Sequence, residues 1–280
     1  VEILNPNGNE SYTQAEYDAM AAKMGLDQSA VVQYFNWVDG LVHGDLGRSF
    51  FTNKSVMDQL AKRIPISLKL AGFSMILTIV FGVGFGVLMA VKKDRLLDHV
   101  LGTFSTVALS VPGFWIAIVL IFIFAEQWKI LPSSGISGGS GFILPAVTLA
   151  LPSIGVCARL TRSAILDEIG RQYMTVADAK GMSRRHAVVC HAFGNALIPI
   201  ITYLGNHMAG IIGGASIVET IFAIPGIGSY AIAGVQSKDY YVVQAYVLFS
   251  GCIYVLTNIL IDLIYIALDP KIRAGEAVES

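Results

Sequence analysis

The chain has 280 residues, of which 54% are hydrophobic and only 14% charged, with a mean hydropathy of +0.63 and a net charge of -1. A soluble domain carries about 25% charged residues, so the deficit, filled by long apolar runs, marks a membrane protein. The near-zero net charge gives no handle for nucleic acid, and three scattered cysteines, Cys157, Cys190 and Cys252, form no metal or disulfide pattern.

Residues 1–61 read as a polar, partly amphipathic extracytoplasmic segment with no signal peptide. Ser11 or Thr13 is placed to cap a helix through Tyr17, Met20 and Met24 that stops at Gly25. A second helix passes through Val31, Tyr34, Phe35 and Val38, apolar at helical spacing. Packing of these helices on the ends of a membrane bundle is the expectation, with partner docking as the alternative.

A helix needs about 20 apolar residues to cross the hydrocarbon core. Five runs meet or approach this, at about 66–91, 100–124, 142–165, 196–222 and 242–268. The expected fold is therefore an all-α, polytopic helical bundle. Gly82, Gly84 and Gly86, then Gly205, Gly210, Gly213 and Gly214, allow helices to approach closely. Pro112, Pro152 and Pro199 remove backbone donors and favour bends. Lys69 is near enough to one end of its run to snorkel.

Loop charge sets the orientation. Eleven Lys and Arg lie in the loops after the first and third runs and in the tail, against two, Lys129 and Lys238, in the alternate loops. The basic loops belong in the cytoplasm, which leaves residues 1–65 outside.

Within the runs, the polar groups are few, and polar groups at membrane depth face protein or water. Asn206 and His207 sit in the fourth run beside Met208, and Asn258 and Asp262 share a face of the last. These five are the candidate pathway residues. An interhelical hydrogen-bonding pair is the plainer reading of Asn258 and Asp262. His207 is also a speculative metal ligand, and Glu219 lies near the external end of its helix. No phosphate loop, H-E-x-x-H or G-x-S-x-G is present; the chain reads as a non-enzyme without its own nucleotide site, holding no cofactor.

The connection at about 166–195 is too polar to span and too apolar for a linker. Tyr173, Val176, Ala177 and Lys180 share a helical face that ends at Gly181, and a second helix follows Ser183. Its run from Tyr173 to Gly181, followed by His191-Ala192 and Asn195-Ala196-Leu197-Ile198-Pro199, resembles the EAA-type loop of ABC importer permeases. More narrowly it resembles the dipeptide, oligopeptide and nickel branch. Gly44-Asp45-Leu46-Gly47-Arg48-Ser49, Val218-Glu219-Thr220-Ile221-Phe222, Pro225-Gly226-Ile227-Gly228, Asp239-Tyr240 and Asp269-Pro270-Lys271-Ile272-Arg273 follow in the order expected of that branch.

The resemblance implies a type I importer permease domain over 62–269 and a cytoplasmic tail over 270–280, in the bacterial cytoplasmic (inner) membrane. It implies a second, homologous permease, two cytoplasmic ATPase subunits that bind ATP and Mg, and an extracytoplasmic substrate-binding protein. Ala177, Asp178, Ala179, Lys180, Gly181 and Met182 would then form the coupling helix against the ATPase. Gln172 and Asp178 depart from the pattern, in which an acidic and a basic residue are common. Such permeases usually have six spans, so a further helix before Val1 is expected. Short peptides are the expected solute, with nickel or a nickel chelate the alternative. An ion-driven secondary transporter or channel, with Asp262 its single coupling carboxylate, is the rival of another class.

Overall fold

The computed structural model describes Thr13, Ala15, Asp18 and residues 27–136, 139–171, 174 and 192–268. Most of these are helical; the one strand-type pairing among the described residues is an isolated antiparallel bridge between Arg48 and Ser55. Nine helices carry the description: α1 (Ala30–Val42), α2 (Val56–Val91), α3 (Leu96–Ser110), α4 (Gly113–Gln127), α5 (Ser140–Ile169), α6 (Phe193–Gly214), α7 (Ser216–Ile221), α8 (Ile227–Gln236) and α9 (Tyr240–Leu268).

The start signals are local. Ser29 Oγ accepts the Val32 N–H at 3.4 Å and Ser55 Oγ accepts the Asp58 N–H at 3.3 Å, each supplying a partner for an orphan helix-end donor. The expected helix through Val31–Val38 is α1. It has no buried residue, and its link to the bundle is through Leu41, packed against Leu46, Val56, Leu60, Ile227, Val242 and Ala245. The expected helix through Tyr17–Met24 lies outside the described residues.

By length and apolarity, three described helices qualify as spans, α2, α5 and α9, or four when α3 and α4 count as one broken span. The second expected run is thus not straight: α3 and α4 are bent by 103°. Pro112 explains the break, because it has no N–H to continue a helix and it drives Val111 into the extended region, at ψ 127°. Pro152 and Pro199, in contrast, stay inside α5 and α6. The expected run at 196–222 is divided between α6 and α7.

Helix α5 is the axis of the bundle. Of its most apolar stretch 61% is buried, against 33% for α2 and 6% for α9. It packs against α2, α3, α4, α6 and α7. Small residues set these approaches: a Cβ on Gly82 would stand 2.7 Å from Cys157 Cβ, and one on Gly86 would overlap Thr161 Cβ. The four-residue spacing of the glycines matches that of their partners, so α2 and α5 run parallel and nearly in backbone contact. Gly84 and Gly210 face open space instead. Two π-helical stretches, Thr78–Val83 in α2 and Ile121–Gln127 in α4, widen the helices locally.

The candidate pathway and its two polar ends

Long-range polar contacts hold the bundle at its two ends. At the α8 end, Glu219 is fully buried. Its Oε1 accepts the Ser67 hydroxyl at 2.6 Å and its Oε2 accepts the Ser229 N–H at 2.9 Å. Ser67 Oγ in turn accepts the Ile227 N–H at 2.9 Å. One carboxyl group thereby joins α2, α7 and the start of α8, and it satisfies donors that the first turn of α8 leaves open. Gly226 is required beside it, because any Cβ there would overlap the Glu219 carboxyl.

Close by, Ser49 Oγ donates to Asp239 Oδ2 at 2.6 Å, fastening the turn after α1 to the loop between α8 and α9. The Arg63 guanidinium lies 4.6 Å from the centre of the Tyr230 ring, a cation–π contact. Burial, and next the negative charge of Asp239, hold the Tyr230 hydroxyl above its usual pKa, with Arg63 opposing.

At the opposite end, Arg162 grips Asp98 through two bonds, Nε to Oδ1 at 2.7 Å and a terminal nitrogen to Oδ2 at 2.8 Å. The Asp94 N–H adds a third bond to Asp98 Oδ2 at 2.9 Å. Asp98 is 5% exposed, so this bidentate pair fixes the start of α3 on α5 in a partly dry setting. Met174 and Ala192, the described residues on either side of 175–191, lie at this same end. Both residues are buried in one cluster with Ala90, Ile165, Ala196 and Ile200, from α2, α5 and α6.

The expected coupling residues, Ala177, Asp178, Ala179, Lys180, Gly181 and Met182, lie outside the described residues. The expected pathway residues are not gathered into one site. His207 stacks on Tyr203, rings 5.6 Å apart and 4° from parallel, and its Nε2 is buried without a hydrogen-bond partner. Tyr203 donates to Ser153 O of α5 at 3.2 Å. Met208 packs with Ala71, Ile211, Phe249 and Ile253 between α2, α6 and α9, while Asn206 is exposed. Asn258 donates back to Tyr254 O of its own helix at 2.9 Å, and Asp262 is exposed. Among the described residues no three His, Cys, Asp or Glu side chains come together to hold a metal. Helix α9, which carries Asp262, is unbroken, whereas the break at Pro112 lies in another span.

The polar pairs carry no signal of their own along the sequence. Ser67 reads as one more small residue in an apolar run, and Arg162 as one more loop cation. Glu219 and Asp239 did stand out as acids within the matched strings, but their partners are remote in the chain.

Comparison with known proteins agrees with this architecture. The model of the family described as binding-protein-dependent transport system inner membrane component matches residues 82–274. The chain belongs to this family. It is similar to the dipeptide transport system permease protein DppB of Escherichia coli strain K12, 32% identical over 95% of this chain and 88% of that one. It is also similar to the glutathione transport system permease protein GsiC of Escherichia coli O6:H1, 34% identical over 90% of this chain and 82% of that one. Among solved structures, the inward-facing MetNI methionine ABC transporter matches with a TM-score of 0.64 and 17% identity, over 76% of this chain and 97% of that chain. That likeness concerns the fold, which is the type I ABC importer permease fold. The chain is accordingly a multi-pass inner-membrane permease subunit.

Proposed function

We propose that this permease forms half of the membrane pathway of an ATP-driven importer of short peptides. The second half would be a homologous permease, with two cytoplasmic ATPase subunits below and an extracytoplasmic binding protein above. Loop charge supports placing the Arg162 end and the 175–191 segment in the cytoplasm and the α8 end outside. The relatives named for dipeptides and glutathione support a peptide solute; nickel finds no ligand cluster among the described residues.

One observation carries the mechanism: both flanks of the 175–191 segment are locked in a single cluster with α2, α5 and α6. A force applied to the segment by closing ATPase subunits would therefore act on three helices of the bundle together. A loosely tethered loop would dissipate that displacement. ATP and Mg would be bound by the partner subunits, and this chain would convert their motion into alternate opening of the two ends.

The experiment is dipeptide uptake by the whole assembly in proteoliposomes, with binding protein outside and ATP inside, alongside cross-linking of an Ala179→Cys variant. Uptake that needs ATP, with the introduced thiol bonding to an ATPase subunit, is expected. Uptake driven by an ion gradient in the absence of ATP would move the chain to the rival class.

A further inference from the structure

Several buried side-chain atoms in the described residues have no hydrogen-bond partner, and three of them belong to Arg63, Tyr230 and Asp239. These are not scattered residues. Arg63 covers the Tyr230 ring at 4.6 Å, and the Asp239 charge acts on the Tyr230 hydroxyl. Asp239 is 1% exposed; Oδ2 is held by Ser49, but Oδ1 has no donor. A buried carboxylate oxygen without a donor is costly, and such groups are normally met by protein, water or a ligand.

The same two residues, Tyr230 and Asp239, line a half-open cleft of about 410 Å³ between the 49–52 turn, α8 and the start of α9. Its size falls in the roughly 300–1,000 Å³ range of small-ligand sites. Its walls carry the polar side chains of Ser49, Thr52, Ser237 and Lys238. Two of the three unmet atoms belong to residues that line the cleft, the anionic acceptor Asp239 Oδ1 and the Tyr230 hydroxyl oxygen, which can also accept; Arg63, which carries the third, is not part of the lining. The matching group on a guest is therefore a hydrogen-bond donor carrying positive charge.

We propose that this cleft is a binding site on the permease itself for the amino terminus of a free short peptide, whose ammonium group bonds Asp239 Oδ1 and Tyr230 Oη. The Ser49 bond holds the carboxylate so that Oδ1 stays turned to the guest. Arg63, behind the aromatic ring, offsets the buried negative charge in the unloaded state. The site lies between α8 and α9, next to the Glu219 hub, so an arriving peptide would touch the elements that close this end. This rests on the importer reading above, and it adds a place where the permease reads the solute after release from the binding protein.

The test is equilibrium binding of Ala-Ala and of N-acetyl-Ala-Ala to the purified transporter assembly in nanodiscs without binding protein. Wild type should bind Ala-Ala at least about tenfold more tightly than the acetylated peptide, the scale of one hydrogen bond to a charged group. Tyr230→Phe removes one oxygen, keeps the ring under Arg63, and should weaken Ala-Ala by about tenfold while leaving the acetylated peptide unchanged. Should that variant fail to assemble, Asp239→Asn is read in the same way. Equal binding of the two peptides, no binding by wild type, or no loss in either variant would overturn the site and leave water as the occupant. Dipeptide uptake with binding protein present separates the two levels: if it persists while the permease binds no peptide, this site fails and the importer reading stands. If uptake of every peptide is absent, the importer reading fails first.

Discussion

Replacing Glu219 tests the claim that one buried carboxyl group joins α2, α7 and the start of α8. Its two oxygens each accept one bond, from Ser67 Oγ and from the Ser229 N–H, at 2.6 and 2.9 Å. Hydrogen bonds to a charged group contribute about 1.5–3 kcal/mol each, so Glu219→Ala should cost roughly 3–6 kcal/mol, before any cavity term. Glu219→Gln should cost about half of that. The amide keeps one acceptor, for Ser229 or for Ser67, and turns its NH2 toward the other. A shift of about 2–4 °C per kcal/mol is typical of a chain near this size. Thermal melting of the purified assembly in detergent should then fall by about 6 °C or more for the alanine variant, with glutamine between it and wild type. The ranking Glu above Gln above Ala is as informative as the size. If Glu219→Ala melts with wild type, or if Gln and Ala lose equally, the two-acceptor account of this hub is refuted.

Other consequences are open to measurement. Gly86→Leu should separate α2 from α5 at Thr161 and sharply reduce the folded permease recovered from membranes, whereas Gly84→Leu, facing open space, should not; size-exclusion profiles compare them. For the Asp98–Arg162 pair, Arg162→Met alone should destabilise by about 3–5 kcal/mol, because it strands a buried carboxylate, and the double variant Asp98→Leu/Arg162→Met should recover part of the loss; melting of a double-mutant cycle decides. His207→Phe keeps the stack on Tyr203 and removes a buried nitrogen that has no partner, so stability should hold or rise. In the same preparation, equilibrium dialysis should show nickel binding no stronger in wild type than in His207→Phe. Retention by wild type alone would reinstate the metal reading.

Much of the architecture was legible along the chain because it rests on one-dimensional properties. Apolar run length registers the bilayer's thickness, the bias of Lys and Arg registers its two sides, and Ser29 and Ser55 cap helices through neighbours three residues away. The matched strings around Tyr173–Gly181 and Val218–Gly228 pointed to the permease family, which the family model over 82–274 shows. Tertiary structure decided the rest. Only folding shows that the run at 100–124 turns by 103° at Pro112 while Pro152 and Pro199 stay inside helices, because a proline's effect depends on what its neighbours can satisfy. Only folding brings Ser67 to Glu219 across 152 residues, Ser49 to Asp239 across 190, and Arg162 to Asp98 across 64. Hydropathy and periodicity register each residue's affinity for water or lipid. They hold no information about which buried polar group meets which, since that is settled by how parallel and antiparallel helices dock around α5.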